Sequence, residues 1–189
     1  MQALLVSTLV VAIAEIGDRT QLLSLLLASR FKQPGQILCG ILLATLANHA
    51  LAALAGQWIG EALGGAPLRW VLGISFLAMA VWVLVPDKFD SRKMSRAPAG
   101  SAFLATLCSF FIAEIGDKTQ IATAALAARF DDLGSVVLGT TAGMMIANIP
   151  VVLCGHLAGH RLDPRWTRPV AAAVLAAQAV LVLSGARLF

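Results

Sequence analysis

The chain has 189 residues, of which 59% are hydrophobic and 13% charged, with a mean hydropathy of +0.84. Soluble domains carry roughly 25% charged residues, so this composition excludes an ordinary water-soluble globule and points to a multi-span membrane protein. The net charge of +4 does not indicate a nucleic-acid partner, because the basic residues concentrate in short loops between apolar runs, where they set membrane orientation.

Several apolar stretches reach the ~20 residues that a helix needs to cross hydrocarbon. Gly and Pro punctuation divides them into spans at 3–29, 35–60, 67–86, 101–128, 134–160 and 167–187. The first run, "LLVSTLVVAIA", ends like a signal-peptide cleavage site. No Lys or Arg precedes it, however, and the apolar run continues to Ala28, so it reads as a retained span. Six of the seven prolines fall at or near span ends, and Pro150, inside the fifth span, predicts a kink. Trp58, Trp70, Trp82 and Trp166 lie toward span ends, as interfacial aromatics do. Cys39, Cys108 and Cys154 show no CxxC or His spacing and read as small core residues.

The first span contains "AEIGDRTQ" at Ala14–Gln21, and the fourth contains "AEIGDKTQ" at Ala113–Gln120. Between Ala14–Phe31 and Ala113–Phe130, 11 of 18 positions are identical. The offset of 99 also aligns Gly40 with Gly139, Gly56 with Gly155 and Gly60 with Gly159, a mark of internal duplication. The expected organisation is a three-helix repeat over 1–86, a cytoplasmic linker over 87–100 and a second three-helix repeat over 101–189. With three spans per copy, the second copy enters the membrane inverted. The fold class is therefore an all-α membrane protein, six transmembrane helices in two inverted three-helix repeats.

Loop charges orient it. Arg30, Lys32, Lys88, Arg92, Lys93, Arg96, Arg161, Arg165 and Arg168 fall on one side, and only Arg69, Arg129 and Arg187 on the other. The positive-inside rule puts the larger group in the cytoplasm and both termini outside. Inverted repeats are a recurrent architecture of secondary transporters, with a site near the midplane. The patterns Gly56-xxx-Gly60, Gly139-xxx-Gly143 and Gly155-xxx-Gly159 let helices approach closely.

Glu15 lies 11 residues past Leu4, about 16 Å of helix rise, near the middle of a hydrocarbon layer ~30 Å thick. Glu114 lies at similar depth in the fourth span. A charge there costs at least ~2.5–3.5 kcal/mol, so two copies of such a segment point to function. On a continuous helix Glu15 and Asp18 share a face, Arg19 pairs with Glu15, and Lys118 pairs with Glu114. The four acids Glu15, Asp18, Glu114 and Asp117 against Arg19 and Lys118 leave a charge of minus two, matched by one divalent cation or two protons.

Carboxylates and amide oxygens suit Mn²⁺, Ca²⁺ or Mg²⁺, and the absence of His and Cys from both motifs argues against Zn²⁺ or Cu⁺. Gln21, Gln120, Thr20 and Thr119 are placed to complete a shell. Asn48, His49 and Asn148 are polar residues at mid-span, where two uses stay open: facing the same site, or bonding helix to helix. His156 and His160 lie near a span end and read as interfacial. Intrahelical salt bridges alone would leave Asp18 and Asp117 without partners.

With these residues in hand, the chain resembles the Gdt family of cation exchangers. "EIGDRT" at Glu15–Thr20 and "EIGDKT" at Glu114–Thr119 both fit that family's E-x-G-D-[KR]-T signature. The span count and repeat spacing agree, so the resemblance covers nearly the whole chain. It implies Mn²⁺ or Ca²⁺ transport in exchange for protons, with Glu15, Asp18, Glu114 and Asp117 binding the ion and no resident cofactor. The short loops and the lack of a targeting extension suit a bacterial inner-membrane protein whose role is manganese export, with the bilayer, the metal ion and protons as its partners.

Two other readings remain beside it. An exporter of a small cationic organic solute, such as an amino acid, would suit the negative site. An intramembrane aspartyl protease is suggested by "IGD", but Glu replaces the first Gly of that motif and the chain has no Tyr. No enzyme activity is expected.

Overall fold

A computed structural model describes residues 1–16, 18–84 and 101–153, with isolated positions 173, 176, 179, 180, 183 and 184. Gly17, the 87–100 linker, Cys154, Gly155, His156, Gly159, His160, Trp166 and most of the sixth span lie outside the described residues. Among the described residues there are seven helices and no strand: α1 Gln2–Glu15, α2 Arg19–Phe31, α3 Pro34–Leu63, α4 Gly65–Leu84, α5 Ala102–Glu114, α6 Lys118–Arg129 and α7 Leu133–Leu153. By length and composition, α3, α4 and α7 are long and apolar enough to cross a membrane.

The first and fourth spans differ from the continuous helices expected. Each is broken at its motif, into α1 and α2 and into α5 and α6. The backbone at Ile16 and Ile115 is extended (ψ 119° and 120°), and Asp18 and Asp117 are extended residues at the N-termini of the next helices. Gly116 sits at φ +73°, a left-handed conformation that glycine adopts without a Cβ clash. Both breaks are closed alike, by Asp18 N–H donating to Glu15 O at 3.1 Å and Asp117 N–H donating to Glu114 O at 3.0 Å.

The helices pack across the repeats. Helix α1 lies against α7 and α5 against α3, while α3 also packs on α6 and α2 on α7. Glycines permit these contacts. A Cβ on Gly40 would lie 3.0 Å from Phe103 O and 2.8 Å from Thr106 Cβ. A Cβ on Gly139 would lie 2.5 Å from Leu4 O and 2.9 Å from Ser7 Cβ. All three residues of the second contact stand 99 positions from those of the first, with the repeats exchanged. Such reciprocity is what a two-fold axis between the repeats produces. Gly56 meets the Ala124 backbone, and Gly60 meets that of Ala128, which brings α3 onto α6.

Buried threonines return their hydroxyls to their own helices. Thr106 donates to Ala102 O (2.7 Å), Thr123 to Thr119 O (2.8 Å) and Thr140 to Val136 O (2.9 Å). In hydrocarbon these groups have no water to turn to. Phe76 and Met79 of α4 centre one apolar cluster, which takes in Ala179. Outside the spans, at the start of α7, Asp132 accepts from the Ser135 side chain and from Ser135 N–H (3.0 Å), and these bonds hold its carboxyl below the usual carboxylate range.

The cysteines require a correction. Cys39 and Cys108 are not core residues; both are exposed on the outer surface. In a membrane protein the outside of a span is as apolar as its core, so hydropathy does not tell the two faces apart. Trp58, Trp70 and Trp82 also face outward. Helix α7 continues through Pro150.

Candidate functional site

The two helix breaks meet. Glu15, Asp18, Glu114 and Asp117 are all buried, none exposed by more than 2%. Carboxylate oxygens of Glu15, Asp18 and Asp117 lie within 4.8 Å of one another, so the cluster draws two residues from the first repeat and one from the second. Asp18 and Asp117 reach it because they stand at the broken ends, off any continuous helix. Thr119 Oγ1 donates to Asp117 Oδ2 (3.2 Å), and Thr20 Oγ1 is placed on Asp18 Oδ2 in the same relation (3.5 Å).

The basic residues do not pair with the glutamates four positions before them. Lys118 Nζ lies 2.6 Å from Asp18 Oδ1, and Arg19 Nη2 lies 2.7 Å from Asp117 Oδ1. Arg19 Nη2 also donates to Ala113 O at 3.1 Å. Each motif's base thus serves the other motif's aspartate. The expected i, i+4 pairing fails because the break separates the end of α1 from the start of α2, and α5 from α6. The two pairs differ in exposure: 7% and 0% for the side chains of Lys118 and Asp18, but 37% and 3% for Arg19 and Asp117. The Lys118 ammonium lies in the field of Asp18, Glu15 and Asp117 together.

The glutamates are held by polar neutral groups of the opposite repeat. Glu114 accepts from Thr45 Oγ1 at 2.6 Å and from Asn48 Nδ2 at 3.2 Å. Glu15 Oε1 faces Asn148 Nδ2 at 3.5 Å, and Ser24 Oγ donates to Asn148 Oδ1 at 2.6 Å. Glu15 Oε2 has no hydrogen-bond partner among the described residues. Both aspartates thus have cationic partners, and Glu15 and Glu114 are the two motif acids that form no salt bridge among the described residues. Glu114 stands apart from the cluster formed by the other three acids.

Other expected site residues bond to backbone near the breaks. Gln21 Nε2 donates to Ala147 O at 2.9 Å, tying α2 to α7. Gln120 Oε1 accepts from Gly116 N–H at 2.7 Å, bracing the second break. By sequence offset Asn148 aligns with His49, but by contact its counterpart is Asn48, since each asparagine faces the glutamate of the other repeat. His49 is buried, and neither ring nitrogen has a hydrogen-bond partner among the described residues. Thr45 and Ser24 were missed by the sequence reading. Thr45 lies three residues before Asn48 on one helix face, a spacing that could have marked it.

A buried cluster of carboxylates drawn from two reciprocal repeats has the chemistry of a hard-cation site. The model of the divalent cation/proton antiporter family GDT1 matches residues 3–91 and 102–188. The chain belongs to this family. It is a transporter of the GDT1 type and not an enzyme. A protein of Vibrio cholerae serotype O1 (strain ATCC 39541 / Classical Ogawa 395 / O395), named "Putative manganese exporter", is 51% identical over 175 residues, covering 91% of this chain and 86% of that one. Two rice proteins, from Oryza sativa subsp. indica and subsp. japonica, each named "GDT1-like protein 1, chloroplastic", are 34% identical over 100 residues, covering 53% of this chain and 29% of theirs. No solved structure matches the chain.

Proposed function

We propose that this GDT1 transporter exports Mn²⁺ from the cytoplasm in exchange for protons. The reading is carried by one observation: the Glu15, Asp18 and Asp117 carboxylates, from both repeats, converge on one buried place. Oxygen donors of this kind suit Mn²⁺ and also Ca²⁺. The name of the Vibrio cholerae relative favours manganese. Glu114 would join the ion after leaving Thr45 and Asn48, and Gln21, Gln120, Thr20 and Thr119 would line the site or steady its backbone.

The repeats are 1–86 and 101–189, joined by a cytoplasmic linker at 87–100, with both termini outside and the bacterial inner membrane as location. The loop charges support this orientation. The reciprocal packing of α1 on α7 and α3 on α5, with an odd number of spans per repeat, supports inversion. Alternating access then moves the two breaks together. The ion binds from the cytoplasm and leaves outside, and protons on Glu15 and Glu114, which form no salt bridge among the described residues, reset the site.

Purified protein in proteoliposomes tests this by comparing Mn²⁺, Ca²⁺ and Mg²⁺ flux. Mn²⁺ movement lost in Asp117→Asn is expected. Lysine movement with no metal flux would instead favour the organic-cation reading.

A further inference from the structure

We infer that Lys118 and Arg19 are tethered counterions: they pair with Asp18 and Asp117, two carboxylates of the proposed site, and compete with the divalent cation for them. The inference rests on the proposed ion site and names two further residues that set its affinity. The crossed pairing is the first ground. Each base bypasses its own motif's glutamate and reaches the aspartate of the other repeat.

Position is the second ground. The Lys118 ammonium, 2.6 Å from Asp18 Oδ1, lies in the field of the same three carboxylates that cluster within 4.8 Å. It sits against Asp18, at one edge of the place a bound cation would take. A divalent ion takes oxygens at about 2.0–2.6 Å, so Asp18 cannot serve the ion and keep the ammonium in the same place.

Charge is the third ground. One divalent cation replaces two monovalent groups, so the charge in contact with the cluster is the same before and after. The bases then weaken binding and let the ion leave. Without them, the carboxylates would hold a divalent cation more tightly and release it more slowly. The pairs are also unequal. Arg19 is 37% exposed in its side chain, and Lys118 7%.

Mn²⁺ binding to the protein in nanodiscs, read from the free-Mn²⁺ electron paramagnetic resonance signal, tests the inference together with Mn²⁺ flux in proteoliposomes. Lys118→Gln and Arg19→Gln should each bind Mn²⁺ about tenfold more tightly, since each removes a unit positive charge beside the carboxylates. In flux, KM and maximal rate should fall together. Lys118→Arg and Arg19→Lys should stay near wild type. A purely structural role would weaken binding on neutralisation. Equal or weaker binding by a folded Gln variant therefore overturns the inference. Arg19→Gln, at the more exposed pair, decides the matter if Lys118→Gln does not fold. Asp117→Asn separates the two levels: if it binds Mn²⁺ like wild type, the ion site itself is misassigned.

Discussion

Asp18 and Lys118 form the most deeply buried charge pair described, and its two halves depend on each other unequally. Removing one partner of a buried pair leaves the other charge uncompensated, at a cost of about 3–5 kcal/mol, whereas removing both costs much less. Asp18→Asn should therefore lower the melting temperature in detergent more than the double change Asp18→Asn with Lys118→Met. A double variant as unstable as the single one would show that the pair contributes little. At Glu114, Thr45→Val removes the 2.6 Å hydrogen bond to Oε1. Its net loss is roughly 0.5–1.5 kcal/mol in stability, more where the acceptor is charged. Mn²⁺ flux should survive this change but be lost in Glu15→Gln, because the former touches only a neutral donor and the latter a carboxylate of the cluster.

Helices obey a different constraint, the close approach of backbones. At Gly139 an added side chain meets Leu4 O and Ser7, while at Gly35 nothing lies within 4 Å. Gly139→Val should cost about 1–3 kcal/mol, as overpacking does, and Gly35→Ala should be close to neutral by thermal denaturation. Gly116→Ala acts through the backbone instead. At φ +73° a Cβ costs roughly 1–2 kcal/mol. Because the second helix break depends on that conformation, Mn²⁺ flux should fall along with stability.

For the whole transporter, proton exchange fixes the sign of a pH effect. Acid on the side where Mn²⁺ leaves should speed its exit, and acid on the loading side should slow it, because in the proposed cycle protons and metal compete for the same carboxylates. Flux in proteoliposomes under imposed gradients of either sign reads this directly, and flux indifferent to both would remove proton coupling. At this scale much was legible from the start. The duplicated motif, the six apolar runs and the mid-span acids all appear in the linear order. The helix breaks did not, because "EIGD" satisfies helical spacing as well as it satisfies a broken turn. Cys39 and Cys108 were misplaced because lipid makes the outer face as apolar as the inner one.

Residue type and spacing by themselves determined that the chain is an all-helical membrane protein with two related halves, and they picked out four acids at mid-depth as its candidate site. Hydropathy and repetition are properties of linear order, so they can be read without coordinates. Only the tertiary structure decided which base meets which acid. Salt-bridge choice depends on distance in space, and the breaks at Ile16 and Ile115 carry Arg19 and Lys118 away from their own glutamates and into the opposite repeat.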